Sequence, residues 1–205
     1  MQSDLGRLAY LLPVFLIVLG VAFQWPGCGW PGRTAWSRLS GGCLCQTAVV
    51  IVRLAEEGDF SGFLALAAGV EEWFGPMVGE AGFHDAVRGC IRRARALVAE
   101  SGGGVAGGLL FGGEAPVFRV HWLVVAEDVR GQGVGQALMG EAERRFVRGR
   151  GAGCVEVVTF GADHPGAVVG GARVFYERLG FRPAGPAPDG PEGGTREVFR
   201  RVVGE

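Results

Sequence analysis

The chain has 205 residues, 48% of them apolar, with 21 acidic against 20 basic side chains for a formal net charge of -1. That is one domain, or one domain with an appendage, large enough for a sizeable core and without the basic field that draws nucleic acid. All the basic residues are Arg, and the absence of Lys excludes Walker-type phosphate loops, protein kinases and pyridoxal enzymes, each built around a Lys.

Residues 8–23 are apolar and uncharged, a little short of the ~20 residues that cross a bilayer. An export signal fits poorly, because Asp4 offsets Arg7 and no small-residue cleavage site follows Phe23. Residues 24–47 hold Trp25, Trp30 and Trp36, many glycines and no acidic residue, without helical or strand periodicity. Four readings stand for residues 1–47: a membrane anchor, an export signal, a packed helix, or translation from a start codon upstream of the native one. Composition changes near Thr47, since residues 1–48 contain three Arg and one Asp before an ordinary soluble pattern begins. The chain divides accordingly into an extension, 1–47, and a folded domain, 48–205.

In chain order the domain starts with an expected strand over 49–54 and a helix over 60–70. A second helix is expected from an apolar stripe of Phe83, Ala86, Val87, Cys90, Ile91, Ala94, Leu97 and Val98, at helical spacing, with Asp85, Arg88, Arg92 and Arg95 opposite. Between these helices lie Trp73, Phe74, Met77 and Phe83, either a flexible apolar wall or ordinary core. Strands are expected over 104–111 and 117–125, separated by the hairpin-like break 112–116. A helix over 134–148 follows, with Val134, Ala137, Leu138, Ala142 and Phe146 on one side. Residues 155–160 read as a strand and 172–179 as a short helix, closed by Gly180 as a left-handed cap with Phe181 as the hydrophobic contact beyond it. A last strand is expected over 198–203.

Cys28, Cys43, Cys45, Cys90 and Cys154 show neither paired CxxC spacing nor Cys/His ligand spacing, so no metal site is expected. Cys90 and Cys154 read as buried free thiols in a reducing compartment.

Where the strand 117–125 turns into the helix at 134 the chain reads Arg130-Gly131-Gln132-Gly133-Val134-Gly135-Gln136. Glycines at alternate positions let the backbone pass close to a ligand, and the unpaired N–H groups of a helix start, with its dipole, favour phosphate. The run is therefore read as a pyrophosphate cradle. A dinucleotide fingerprint fits worse, because it requires Gly-x-Gly-x-x-Gly.

The run 130–135 resembles the (Arg/Gln)-x-x-Gly-x-(Gly/Ala) acyl-CoA signature of the GNAT N-acetyltransferase superfamily. Residues 172–181, Ala-Arg-Val-Phe-Tyr-Glu-Arg-Leu-Gly-Phe, are similar to its second motif, in the expected order. The resemblance covers roughly 49–203. It implies an α/β fold of the acyl-CoA N-acyltransferase type, with a mixed, splayed central sheet and helices on both faces. It also implies transfer of an acetyl group from acetyl-CoA, a co-substrate needing no metal, directly to a primary amine of a small molecule or peptide. Carried over residue by residue, the N–H groups from Gly131 and Gln132 through Gly133, Val134 and Gly135 to Gln136 hold the pyrophosphate, with Arg130 neutralising charge. Leu123, Val124 and Val125 pair with the pantetheine arm like an added strand. Tyr176 falls on the general-acid position, although Ala172, Phe175, Tyr176 and Leu179 form an apolar stripe that equally makes it a core tyrosine. Val169 in the 161–171 loop stands where many members have Asn, a departure from the family pattern. For the base, the two-residue strand period places His121 on the face of Arg119 and Leu123, and Glu71, Glu72, His84 or a water chain are alternatives. A cytoplasmic enzyme, alone or as a homodimer, is the leading expectation. A non-catalytic acyl-CoA sensor, and a membrane-tethered acyltransferase held by residues 8–23 with its catalytic domain in the cytoplasm, are the alternatives.

Overall fold

The computed structural model describes residues 50–164, 167, 171–189 and 194–204, together with the backbone of Phe15 and Leu16. Its elements are β1 (Phe15–Leu16), β2 (Ile51–Leu54), α1 (Phe60–Ala68), α2 (Glu71–Phe74), α3 (Ala81–Arg92), β3 (Ala96–Ser101), β4 (Gly104–Glu114), β5 (Val117–Val125), α4 (Val134–Phe146), β6 (Gly153–Phe160), α5 (Ala172–Arg178), β7 (Arg182–Ala187) and β8 (Arg196–Val203).

The strands form one open mixed sheet in the order β2-β3-β4-β5-β6-β8-β7, with β1 pairing β5 off this path. Neighbours run antiparallel except β5 with β6 and β1 with β5. The parallel β5–β6 pair needs a crossover, which α4 supplies. One face of the sheet is covered by α1, α2 and α3 through Phe63, Leu66, Phe74, Phe83 and Val87, packed on Val98, Leu110, Trp122 and Val124. The other is covered by α4 and α5 through Leu138, Met139, Ala142, Phe146 and Tyr176, packed on Leu109, Phe118, Leu123, Val155 and Phe199. Helices on both faces explain why β5 ends in the continuous apolar run Trp122 to Val125, buried throughout. Phe74, Met77 and Phe83 lie in the core, with Trp73 half-buried against it.

The expected second helix is too long. It stops at Arg92, where the Arg95 N–H donates to the Cys90 carbonyl at 2.8 Å and the Ala94 N–H to the Ile91 carbonyl at 2.9 Å. This is a Schellman closure with Ala94, at φ 52°, in the position usually held by glycine. Leu97 and Val98, which extended the helical stripe, instead lie in β3, where Ala96 to Ala99 are fully buried between β2 and β4. The expected Gly180 cap is present: φ is 86° and the Phe181 N–H reaches the Tyr176 carbonyl at 2.9 Å. β7 was not anticipated, because Pro183 and Pro186 mask a strand that only the sheet edge tolerates. Cys90 is buried as expected, whereas Cys154 is half-buried, and both are free thiols.

Val169 and all of residues 1–47 except the Phe15 and Leu16 backbone lie outside the described residues, and with them Cys28, Cys43 and Cys45. Among the described residues, no helix is long and apolar enough to cross a membrane.

Candidate active site

The β5–β6 ladder runs from Val117↔Cys154 to Val120↔Val157 and ends there. Beyond it β5 stays paired to β4 on one side, Leu123 with Leu109, Val124 with Gly108 and Val125 with Gly107, while its other edge opens onto a splay. Phe15 and Leu16 pair with Trp122 and Leu123 along that open edge.

At the far end of β5 the chain turns through Gly131 (φ 76°) and Gly133 (φ 86°), both in the left-handed region that only glycine enters freely. A Cβ at either position meets no atom within 4 Å, so the space in front of the turn is open. The first α4 bond at this turn joins the Ala137 N–H to the Gly133 carbonyl at 2.9 Å. The N–H groups of Val134, Gly135 and Gln136 are thus left without helical acceptors. Gln132 is partly engaged, its N–H to the Val129 carbonyl at 3.4 Å and its side chain to the Asp128 carbonyl at 3.2 Å. Arg130 folds back under the turn: its Nε donates to the Val125 carbonyl at 3.2 Å, and its side chain is only 9% exposed. It ties the loop to the end of β5.

Gly135 has a different task. A Cβ there lies 3.2 Å from the Phe175 ring, so its bareness lets α5 close onto the start of α4. Phe175 meets Tyr176 edge-on at 5.0 Å between centroids, and Tyr176 meets Phe181 the same way at 5.3 Å. Arg173 secures the helix from outside, paired with Glu197 at 2.5 Å and lying over the Phe199 ring. Tyr176 is fully buried and its hydroxyl has no hydrogen-bond partner among the described residues. Burial pushes its pKa well above the usual 10, so it carries its proton at any physiological pH. Thr159, buried on β6 just past the last β5 pair, presents a second hydroxyl without a described partner. The isolated Thr in an apolar strand was the one signal the sequence held for it.

His121 is not on the face of Leu123. Leu110 pairs with Trp122 and Phe111 with Val120, so His121 is the extra residue of a β-bulge. The bulge reverses the alternation: Phe118 and Val120 face α4, and so do Leu123 and Val125, while Trp122 and Val124 face α1–α3. The imidazole fills the space left by Gly112, where a Cβ would lie 2.1 Å from its Nε2. Leu110, the neighbour of Gly112 at the two-residue period, packs in the α1–α3 cluster, which places His121 on that side. Desolvation first, then the positive charges of Arg119 and Arg93, push its pKa below the usual 6.5. The imidazole is therefore neutral at pH 7, with a lone pair to accept a proton.

The alternative bases are differently placed. The Glu71 carboxylate accepts the N–H groups of Met77 at 2.6 Å and Val78 at 2.7 Å, which lowers its pKa and assigns it to holding the α2–α3 loop. His84 Nε2 lies 2.6 Å from the Val78 carbonyl in the same loop. Glu72 is exposed. Among the described residues no three His, Cys, Asp or Glu side chains gather as a metal site requires.

Residues 92–183 match the family described as acetyltransferase (GNAT) domain. No curated protein sequence matches the chain. Among solved structures it is similar to Ard1 from Thermoplasma volcanium, at 19% identity and a TM-score of 0.61 over 76% of this chain and 99% of that one. It is also similar to N-acetylglutamate synthase from Neisseria gonorrhoeae complexed with coenzyme A and N-acetyl-glutamate, at 20% identity and a TM-score of 0.58 over 77% of this chain and 36% of that one. A third is ribosomal-protein-alanine N-acetyltransferase from Brucella melitensis, at 20% identity and a TM-score of 0.54 over 75% and 99% of the two chains. These likenesses reproduce the open mixed sheet, and the match to the acetyltransferase (GNAT) domain spans the strand, the glycine turn and the second motif within residues 92–183.

Proposed function

We propose that the chain is an N-acetyltransferase that uses acetyl-CoA and moves the acetyl group directly to a primary amine. The observation that carries this reading is the Tyr176 hydroxyl, fully buried without a described partner on the helix that Gly135 clamps to the glycine turn. A buried hydroxyl left unpaired costs about 1–3 kcal/mol, a cost that a ligand atom arriving in the splay would offset.

The residues present suit acetyl-CoA. The open turn at Gly131 and Gly133, with the N–H groups of Val134, Gly135 and Gln136, suits a pyrophosphate. The edge of Leu123, Val124 and Val125 that β6 leaves unpaired suits an amide-bearing arm, and Phe15 and Leu16 must leave it before such an arm pairs there. When bound, acetyl-CoA supplies an activated thioester carbonyl. In the reaction the amine nitrogen bonds to that carbonyl carbon and the carbon–sulfur bond breaks. The amine gives up one proton, for which neutral His121 is the acceptor on the α1–α3 side, directly or through water. The departing thiolate takes one proton, for which Tyr176 Oη is the donor from the α4–α5 side. A β5 N–H aimed at the carbonyl oxygen would supply oxyanion stabilisation, typically ~3 to 4 kcal/mol per donor.

The names of the similar structures span a small amino-acid product and a ribosomal protein as acetylated species, so both small-molecule and protein amines suit this fold. A cytoplasmic setting suits the free thiols of Cys90 and Cys154. The test is release of free CoA thiol from acetyl-CoA in the presence of an amine and peptide library. Amine-dependent release is the expected result. Tight acetyl-CoA binding without release under any acceptor would instead make the chain an acyl-CoA sensor.

A further inference from the structure

We propose that the acceptor is an acidic peptide, bound across the open face of β5, β6, β8 and β7 by a row of arginines. The inference rests on the acetyltransferase reading and adds the class of acceptor.

Strand register builds the row from residues far apart in sequence. Arg119 on β5 pairs with Glu156 on β6, Glu156 with Arg200 on β8, and Arg200 with Arg182 on β7. Their neighbours Phe118, Val155 and Phe199 face the α4–α5 core, so the row stands on the opposite side, the side of α1–α3. The helices end before it: Arg119 is 53% exposed, Arg200 49%, and Val202 beside them 80%. Glu156 is the single carboxylate of the row and is already claimed, by Arg119 at 3.5 Å and by Arg200 at 2.6 Å. Three guanidiniums against one carboxylate leave an excess of positive charge. Arg182 and Arg200 stand directly opposite each other, an arrangement of like charges that destabilises a strand pair. A negative partner relieves that repulsion.

The row is also in the right place. Two residues along β6 from Glu156, about 6.6 Å, Val158 pairs with Val198, both half-buried on this face, and the splay opens there. His121 lies on the same face. An amine reaching the thioester from this side therefore has its following atoms over Val158 and Val198 and its next charged groups over the row. The row crosses three strand gaps, about 14 Å, on an open surface. A single small carboxylate would engage one guanidinium and leave the rest as they are, whereas an extended chain with acidic side chains at successive positions meets them all.

The experiment uses the full chain, acetyl-CoA and eight-residue peptides that share an N-terminal Ala and carry Asp and Glu, Asn and Gln, or Arg at the second to fourth positions. The acidic peptide is expected to exceed the amide peptide in kcat/KM by roughly tenfold, with the advantage shrinking as salt is raised. In Arg182→Glu, whose side chain bonds only the neighbouring Phe181 carbonyl among the described residues, the preference should narrow. In Arg182→Glu with Arg200→Glu it should reverse toward the Arg peptide. Calorimetry with acetyl-CoA and thermal melts on each variant separate lost preference from lost fold, and the single variant preserves the test if the double does not fold. Equal rates for acidic and amide peptides, preference unmoved by either variant, or turnover of free amino acids alone would each overturn the inference while leaving the acetyltransferase reading intact. Failure of the full chain to bind acetyl-CoA would bring down both.

Discussion

At Tyr176 the requirements of packing and of chemistry oppose each other. The ring is held by Phe175 and Phe181, yet the hydroxyl is buried with no described partner, which a purely structural position would fill better with Phe. Tyr176→Phe is therefore expected to fold as stably as the parent or slightly better, because it deletes an unpaired polar group. Its kcat should fall by about 100-fold to 10,000-fold with little change in the acetyl-CoA KM, since the proton is needed only as the thiolate departs. Thermal melts and steady-state kinetics on both proteins check the two halves. A lower Tm with unchanged kcat would make the tyrosine structural. His121 gives a second residue-scale expectation through pH. Its folded pKa lies below the unfolded value of 6.5, so the unfolded chain binds more protons as pH falls through that range, and stability declines below pH 6.5. In His121→Gln the decline between 6.5 and the lower folded value should flatten. If His121 is the base, the same variant loses kcat/KM at neutral pH, and the parent's acid limb disappears from the pH–rate profile.

The α4 start separates two roles for glycine that look alike in sequence. Gly133 sits at φ 86° facing open space, whereas Gly135 is pressed against Phe175. Gly133→Val places a β-branched side chain at left-handed φ, a strain of about 1–3 kcal/mol, in front of the free N–H groups. Acetyl-CoA binding by calorimetry should be abolished while the core stays folded. Unchanged affinity in a folded Gly133→Val would sink the cradle assignment. Elements whose signals lie within one turn of chain were legible: the strand 117–125 was anticipated to the residue, and the Gly180–Phe181 closure of α5 from its glycine and following apolar residue. The end of α3 was not, because Ala94 adopts the left-handed angle without the glycine that announces it. β7 was hidden by its prolines, whose missing N–H groups matter only if neighbours flank both sides.

For the whole molecule, the periodic core and both motifs lie downstream of residue 47, and the described part of the preceding segment sits in the splay, paired with β5 and against β6. A chain starting at Thr47 is expected to be monodisperse, to melt cooperatively and to bind acetyl-CoA at least as tightly as the full chain, because Phe15 and Leu16 no longer occupy the Trp122–Leu123 edge. Size-exclusion chromatography and calorimetry check this. Aggregation of the shortened chain, together with membrane partitioning of the full one, would favour the anchor.

What the sequence by itself determined is the strand–glycine turn–helix unit and the apolar stripe carrying Tyr176, since each follows from spacing within a short stretch of chain, and the resemblance of these two stretches to GNAT motifs. Tertiary structure alone decided which side His121 faces, because a bulge exists only relative to the strand it pairs with, and here β4 supplies Leu110 and Phe111 against Trp122 and Val120. It alone revealed that the Tyr176 hydroxyl lacks a described partner, since satisfaction of a polar group depends on whatever else packs around it. It alone gathered Arg119, Glu156, Arg200 and Arg182 into one row. Register across strands joins residues by long-range hydrogen bonds that leave no local periodicity to read, so charges separated by up to three strands of sheet become neighbours only when the sheet is assembled.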